Sequence, residues 1–463
     1  MSVAGSRVVG GAADRALAAR EALRARPRHL ILAALVTGLL IGPHAAASVV
    51  VLLTLAAAAL GGRPVPAVLA AAALLAGALG AQARLTALDR TQLPPLFGTT
   101  ATARVVLLEQ PRPVRFGRTA LARLDQRGGE RLLLRIGQHV AWPPAPTGAI
   151  VQVRGRLRPL GPFERHYARR GAHAALTLDA AVATSARRGG LAGVVDGIRT
   201  RAERALSAGL PPAQAALLRG MTLGQDEALD ARTREEFRAS SLAHVLAASG
   251  QNVALLLALV LPLLAWAGVG LRGRLLGALA LIALYVPLAG AGPSIQRASA
   301  MGAATTVAAL AGRPASRWYA LLLAAAATLA LNPRASGDPG WQLSFAAVVA
   351  IALLAPTTRR ALLARRVPAP VADATAMSLA ATLGTAPLLA WHFHQLSLVG
   401  VPANLLAAPA IAPITWLGML AGALGQLSPA LAAPLNGLDA YLLAYVAWVA
   451  HVAAGVPHAS VSW

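Results

Sequence analysis

The chain of 463 residues is 56% apolar and only 13% charged, with a mean hydropathy of +0.59. Soluble domains carry roughly a quarter charged residues, so this composition argues against a water-soluble enzyme and favours a membrane protein. The absence of cysteine excludes disulfides, thiolate catalysis and cysteine-ligated metal centres. The formal net charge is +24, and every one of the 42 basic side chains is an arginine. A strongly basic membrane protein prefers anionic partners, either lipid headgroups or a polyanion such as DNA.

The amino-terminal region, 1–93, combines a basic arm with apolar segments. Residues 1–28 carry six arginines, and apolar segments follow near 29–43, 45–61 and 64–83. No small-residue cleavage site follows a single short apolar core, so we predict a cytoplasmic leader and not a cleaved signal peptide. Because the first two segments are short for a bilayer of about 30 Å, the sequence allows either two or three spans, and we predict three.

Residues 94–185 differ sharply from what precedes them. Short β-like runs alternate with proline and glycine, at 102–108, 119–124, 131–136, 150–157 and 174–182. Five strands in about 90 residues favour a small closed barrel over a helical bundle. The segment holds 14 arginines against five acidic residues. We therefore predict a soluble, basic, all-β domain that resembles an OB fold.

The remainder of the chain is predicted to be helical. Residues 186–240 have amphipathic periodicity, and the polar stretch 226–236 within them carries too many charges to span. We expect this stretch at the membrane surface or as a short re-entrant element. Eight spans are predicted within 241–463, near 242–267, 275–292, 297–312, 317–331, 340–356, 372–392, 397–423 and 435–455. Several contain proline, notably Pro287, Pro402, Pro409 and Pro413, and such breaks are tolerated where the backbone lines a cavity or packs on protein. The fold class is thus a polytopic α-helical membrane protein of about 10–11 helices, some broken, with an inserted OB-like barrel.

The arginines of the short loops predict the orientation. With the amino terminus inside and three spans before the barrel, the inside loops hold Arg63, Arg272, Arg274, Arg313, Arg317, Arg359, Arg360, Arg365 and Arg366. The outside loops hold little beyond Arg297 and Arg334. Since cytoplasmic loops carry an excess of arginine, we predict that the barrel and the carboxyl terminus lie outside.

Four sequence blocks make the prediction more specific. They are Leu217 to Gly224 with Glu236-Phe237-Arg238 and His244 to Val253 (HVLAASGQNV), Tyr285 to Met301 with Pro293-Ser294-Ile295-Gln296-Arg297-Ala298, Gly340 to Ala346 (GWQLSFA), and Pro402 to Pro409 (PANLLAAP). Together, and in this order behind an OB-like insert, they resemble the signature of the ComEC competence family. Members of that family are inner-membrane channels that carry single-stranded DNA into bacteria during natural transformation.

Two departures from the family pattern matter. Many members have a second histidine after Ser-Gly-Leu, where this chain has Gln251 and Asn252, as in actinobacterial relatives. Many members also continue into a metallo-β-lactamase-like domain proposed to degrade the non-transported strand. No His-x-His-x-Asp-His run occurs here, so no nuclease site is carried over. A separate nuclease, a trimmed chain and a lineage without the nuclease all remain open.

The motif residues are candidates for a DNA path, each weighed against a structural role. The path or pore-lining candidates are His244, Ser249, Gly250, Asn252, Ser294, Arg297, Gln342, Ser344 and Asn404. Helix packing, interhelical hydrogen bonds and snorkelling of Arg297 to the interface explain the same residues about equally well. Candidates for external DNA binding are Arg104, Arg131, Arg135, Arg154, Arg156 and Trp142. Asn436 and Asp439 are interpreted as interfacial, and no metal or cofactor site is expected, since His392 and His394 have no third ligand nearby.

The leading hypothesis is a DNA-uptake channel of the bacterial cytoplasmic membrane that is not an enzyme. Its partners would be single-stranded DNA and the bilayer, with a DNA receptor, a separate nuclease and a cytoplasmic ATPase or helicase as further candidates, because the chain has no P-loop. The alternative is a transporter or flippase for a smaller anionic solute or lipid. A membrane-anchored enzyme with its site in the outer domain is the third hypothesis, and that domain lacks a cluster of His, Asp or Glu.

Overall fold

The structure, a computed structural model, describes residues 26–44, 47–61, 64–126, 129–246 and 249–462. The predicted basic arm up to residue 25, together with Arg63 and Arg127, lies outside the described residues. The chain forms two compact units, one of residues up to 90 with 300–336, the other of 91–299 with 337–463.

The first unit is helical. Three helices precede the barrel, α1 (Pro27–Ile41), α2 (Ala47–Gly61) and α3 (Pro64–Asp89). Helix α3 is long enough to cross a membrane while α1 and α2 are shorter, so the three-span arrangement stays a prediction. Helix Arg317–Leu331 packs against α1 and α3 in the same unit. His29 Nε2 lies 3.1 Å from Ser316 Oγ, and Arg84 Nε donates to the Leu331 carbonyl at 3.0 Å.

Helices α1 and α3 approach until their backbones touch, and two glycines make this approach feasible. A methyl group at Gly38 would lie 2.1 Å from the Leu74 carbonyl oxygen, and one at Gly77 would lie 2.4 Å from the Leu35 carbonyl oxygen. Lipid is as apolar as the side chains, so burial of apolar surface does not drive helices together in a membrane. Small residues let the helix backbones approach closely and gain van der Waals contact instead.

The second unit contains the barrel. Its strands are β1 (Thr100–Leu107), β2 (Arg112–Val114), β3 (Gly117–Leu124), β4 (Arg131–Ile136), β5 (Ala149–Arg158) and β6 (Ala172–Arg187). Five of them close into a ring in the order β1-β5-β6-β4-β3 and back to β1, while β2 adds a short hairpin to β3. All neighbours in the ring are antiparallel except β4 and β6, which are parallel. The predicted OB-like barrel is confirmed.

Alternation along the strands explains why this segment folds as a barrel. In β5 the side chains of Val151, Val153 and Leu157 are buried, while Gln152, Arg154 and Arg156 are exposed. Period-two alternation places one set inside and the other in water. The interior is filled by aliphatic side chains, among them Val105, Leu107, Leu134, Leu176 and Leu178.

One short helix, α4 (Arg165–Arg169), lies within the barrel. The helices that connect the barrel to the membrane core are α5 (Gly190–Ala205), α6 (Pro212–Leu223), α7 (Ala231–Ala239) and α8 (Ala243–Leu246). Although amphipathic helices were predicted over 186–240, α6 is largely buried in the apolar core formed with the last two long helices. Arg112 of β2 pairs with Asp226 at 3.4 Å and with Glu227 at 3.0 Å, which ties the barrel to the loop before α7.

The remaining helices follow the predicted order. They are α9 (Gly250–Trp266), α10 (Leu271–Leu288), α11 (Pro293–Leu310), α12 (Arg317–Leu331), α13 (Pro339–Ala364), α14 (Ala369–Phe393), α15 (Gly400–Leu424) and α16 (Pro429–Ala454). Strands β7 (Gln395–Ser397) and β8 (Ser460–Ser462) pair antiparallel. Helix α15 continues through Pro409 and Pro413, whereas Ser249, directly before α9, has an extended, non-helical backbone.

The described helices include six that are long and apolar enough to cross a membrane, those beginning at Pro64, Leu271, Pro339, Ala369, Gly400 and Pro429. Shorter apolar helices lie within α1, α2, α9 and α12. The chain is therefore a multi-pass membrane protein, and its domain boundaries stay a prediction.

The contact between α1 and α3 can be tested with one methyl group. We expect Gly38→Ala to destabilise the protein by about 1–3 kcal/mol, since the added carbon meets backbone atoms that no rotamer change can move away. The matched control is Gly80→Ala on α3, where an added methyl meets nothing within 4 Å. Thermal unfolding in detergent measures both variants, and equal stabilities would contradict the assigned close contact.

Candidate functional site

The candidate site is the start of helix α9. Ser249 caps this helix, and its hydroxyl accepts a hydrogen bond from the Gln251 backbone N–H at 3.2 Å. The Gly250 backbone N–H donates to Ser294 Oγ of α11 at 3.1 Å. A methyl group at Gly250 would lie 2.9 Å from Ala298 Cβ and 3.0 Å from Arg297 Nη2. The Ser-Gly pair therefore starts α9 and lets α11 approach the first turn of that helix.

Asn252 is the centre of a buried hydrogen-bond network at this helix start. Its Nδ2 donates to the Met221 carbonyl at 2.6 Å and to the Tyr285 hydroxyl at 3.1 Å. The Tyr285 hydroxyl donates in turn to the Thr222 carbonyl at 2.8 Å. Together these bonds satisfy carbonyls at the end of α6 and join that helix to α9 and α10.

Arg297 lies buried next to the same turn and is 8% exposed. Its Nη1 donates to the backbone carbonyl of Ser344 on α13, and its guanidinium carbon lies 5.8 Å from the centre of the Phe345 ring. None of the ion pairs among the described residues includes Arg297, and its Nε has no hydrogen-bond partner. The buried hydroxyls of Ser299 and Ser344 also have no partner. A buried cation without a carboxylate is costly and calls for an anion or a functional role.

A small cavity of about 10 Å³ adjoins the helix start, lined by residues that include Met221, His244, Ser249, Gln251 and Asn252. This volume is that of about one water molecule. Nδ1 of His244 lies 3.0 Å from the Ser241 carbonyl, and Ser241 itself has a left-handed backbone with φ of 63°. A DNA strand cannot pass here unless the helices move apart.

The structure brings together most of the path candidates but not all. His244, Ser249, Gly250, Asn252, Ser294 and Arg297 form the site, and Ser344 joins it through its carbonyl. Gln342 instead contacts His392, with its Oε1 atom 2.7 Å from Nε2 of the histidine. Asn404 is half-buried on α15, and none of the described hydrogen bonds joins it to the site.

Sequence reasoning missed two groups of polar residues. Tyr285 stands in a quoted block, yet nothing near it in sequence indicates that it bonds α6. Asn436 and Asp439 were interpreted as interfacial, and that interpretation is wrong, because both are 0% exposed.

Among the described residues no group of three or more His, Asp or Glu could hold a metal ion.

The barrel arginines form two separate rows. The first row lies on the neighbouring strands β1 and β5 and consists of the exposed side chains of Arg104, Arg154 and Arg156. Across the two strands, Arg104 is opposite Gln152, Arg154 is opposite Thr102, and Arg156 is opposite Thr100. Arg104 pairs with Asp125 at 3.3 Å, and Arg156 donates to the Gly98 carbonyl at 3.2 Å.

The second row lies on β3 and β4 and is the more crowded with positive charge. Arg131 is directly opposite Arg123 across the two strands, a like-charge pair that is unfavourable in isolation. Burial, Arg170 and Arg123 together lower the pKa of Arg131 from its ordinary value. Arg135 has a partner in Glu164 at 3.6 Å. Excess positive charge on this face favours an anionic ligand.

The aromatic candidate lies elsewhere. Trp142 is half-buried in the loop before β5 and packs against the barrel interior. The exposed aromatic rings of the barrel are Phe116, at 72%, and Phe163, at 93%. The guanidinium of Arg115 lies 5.2 Å from the Phe116 ring centre.

The network around Asn252 can be tested at Tyr285. Tyr285→Phe removes the donor to the Thr222 carbonyl, so we expect a loss of about 1–3 kcal/mol of stability. The control Tyr441→Phe changes a side chain that is 80% exposed and should be neutral. Combining Tyr285→Phe with Asn252→Leu should be less than additive, because both residues belong to one network. Strict additivity in unfolding measurements would contradict the network.

Comparison with known proteins identifies the family. The sequence profile of the competence proteins matches residues 221–463. ComE operon protein 3 of Bacillus subtilis (strain 168) is 29% identical over 215 residues, which are 46% of this chain and 27% of the relative. The match therefore spans about a quarter of that relative's length. No solved structure matches the chain. Because the profile covers just over half of the sequence, including the whole helix start at Gly250, the chain belongs to the competence-protein family.

Proposed function

We propose that this chain is a channel through which single-stranded DNA enters the cytoplasm during natural transformation, with no catalytic step of its own. Family membership supports a role in competence. A multi-pass membrane core together with a net charge of +24 supports an anionic cargo.

Buried Arg297 is the observation that carries the proposal. A guanidinium without a carboxylate partner, beside the amino-terminal turn of α9, adds its positive charge to the positive end of the helix dipole. Both favour phosphate. In the present conformation the guanidinium donates to the Ser344 carbonyl, a neutral partner that a phosphate oxygen can replace.

The barrel would receive the strand outside the membrane. OB folds bind oligonucleotides on the face of their second and third strands, which here are β3 and β4. That face carries the Arg123–Arg131 pair and Arg135. Exposed Phe116 and Phe163 offer rings on which bases can stack.

Orientation and partners follow from the same proposal. The amino terminus would lie in the cytoplasm, and the barrel and the carboxyl terminus outside, since the inside loops then hold most loop arginines. A DNA receptor, a nuclease and a cytoplasmic motor are candidate partners. The cavity of about 10 Å³ at α9 requires that the helices separate during transport.

Binding of single-stranded oligonucleotides across a salt series tests the barrel. We expect Arg131→Gln with Arg135→Gln to lower the slope of log K against log salt by about 1.4, for two phosphate contacts at about 0.7 each. The pair Arg154→Gln with Arg156→Gln tests the other row. The control pair, Arg365→Gln with Arg366→Gln, alters two exposed arginines after α13 and should leave the slope unchanged. Equal slopes for all three pairs would contradict a barrel site.

Uptake of labelled DNA tests the membrane core. In cells whose only copy is the variant, Arg297→Gln should lower uptake by about tenfold or more, while Arg297→Lys, which keeps the charge, should retain part of it. Arg272→Gln, at an exposed position in the first turn of α10, is the control, and uptake is normalised to membrane abundance. If Arg297→Gln abolishes transport of a small anion but leaves DNA uptake intact, the transporter alternative replaces the DNA channel.

A further inference from the structure

Helix α16 carries two buried polar residues that the proposed DNA path does not use. Asn436 and Asp439 are three residues apart, so they share one face of the helix, and both are 0% exposed. Nδ2 of Asn436 donates to the carbonyls of Ala205, at 2.7 Å, and Ala208, at 2.8 Å. This face of α16 therefore packs against the end of α5 and the turn that follows it.

Several acceptor oxygens at this contact have no hydrogen-bond donor. Oδ1 of Asn436 and both carboxylate oxygens of Asp439 have no hydrogen-bond partner. Gln214 of α6 donates through Nε2 to the Ala440 carbonyl at 3.4 Å, and its Oε1 also has no partner. Four acceptors thus lie along one contact between α16 and residues 205–214. An added proton would convert one of them into a donor.

No cation among the described residues neutralises Asp439. Helix α15, which packs along α16, has no ionisable residue. The charged residues on the other helices packed against α16 are Asp196, Arg199, Arg201, Glu203 and Arg204 on α5, Arg219 on α6, and Arg232, Arg234, Glu235, Glu236 and Arg238 on α7. None of them has an ion pair to Asp439.

Several of these charges are engaged elsewhere. Arg199 pairs with Glu203 at 3.3 Å, and Arg201 donates to Gln426 Oε1 at 2.9 Å. On α7, Glu236 pairs with Arg232 at 3.0 Å and with His451 at 3.0 Å. The other titratable groups of α16 are Tyr441, Tyr445 and His451. His451 lies about 18 Å along the helix from Asp439.

We propose that Asp439 is a proton-binding site of the membrane core, with its carboxyl protonated in this conformation and donating to one of the acceptor oxygens beside it. The carboxyl loses its proton to water only when α16 separates from residues 205–214. A neutral carboxyl needs no counter-ion and supplies the donor that the contact lacks. Proton occupancy is thereby coupled to whether this contact is open or closed. The inference does not depend on DNA as the cargo.

Infrared spectroscopy of the full chain in lipid nanodiscs, with ¹³C-labelled aspartate, tests the proposal. At neutral pH we expect a protonated-carboxyl C=O band in the wild type that Asp439→Asn removes. The matched control is Asp179→Asn, since Asp179 is exposed on β6. This control should keep the band. Absence of the band in the wild type, or its persistence in Asp439→Asn, would overturn the proposal.

Thermal unfolding against pH, compared between the wild type and Asp439→Asn, gives a second readout. Unfolding exposes Asp439 to water, where it releases its proton above the ordinary carboxyl range, so the stability of the wild type should fall as pH rises. Asp439→Asn should flatten this dependence, whereas Asp179→Asn should not. The same pH dependence in the wild type and in Asp439→Asn overturns the proposal. Stabilisation by Na⁺ over choline at equal ionic strength would also overturn it, because the oxygens would then hold a metal cation.

Discussion

The membrane core depends on one constraint: hydrocarbon offers no hydrogen bonds, so every polar group must find its partner within the protein. Where a helix begins inside the core, as at Gly250, its first backbone N–H groups have no partner within the helix, and surrounding side chains bind them. Ser249 caps the new helix, Ser294 accepts from the Gly250 N–H, and Asn252 and Tyr285 bind the carbonyls at the end of α6. The family's Ser-Gly motif is thus accounted for by backbone satisfaction and close approach.

Several buried polar groups in the described part of the chain depart from this rule, and two of them, Arg297 and Asp439, have opposite charge. Arg297 has no carboxylate and donates to a backbone carbonyl, while Asp439 has no partner at all. Such groups are expensive in a membrane and are retained where they act on ions or substrates. We assign the cation to the DNA path and the carboxyl to proton binding. The two lie on different helices and can be altered independently.

The sequence predicts the barrel well and the site only in part. The short β-like runs separated by proline and glycine locate all five ring strands, but β2, only three residues long, gives no signal. Asn436 was misjudged because the predicted last span begins at 435, which puts that residue in its first turn. The helix begins at Pro429, and Asn436 lies two turns inside it.

Other contacts of the site and the barrel cannot be predicted from the types of the side chains involved. Arg297 donates to a backbone carbonyl, and Met221 and Thr222 accept through theirs, so the identity of the partner residue is irrelevant. Trp142 has the side chain expected of a stacking platform, yet its place in the loop before β5 directs it onto the barrel interior. Residue type indicates which groups need partners, and only the packing of distant segments decides which partners they receive.

The central claim is that DNA passes the start of helix α9. Because the chain has no cysteine, a single introduced one reports one position without background. Gln251 is exposed and lines the cavity at this site, so Gln251→Cys can be crosslinked to thiol-reactive DNA stalled during uptake. We expect a crosslink at this position and none with Tyr441→Cys, which is also exposed, on α16. Crosslinking at position 441 but not at 251 would contradict the account.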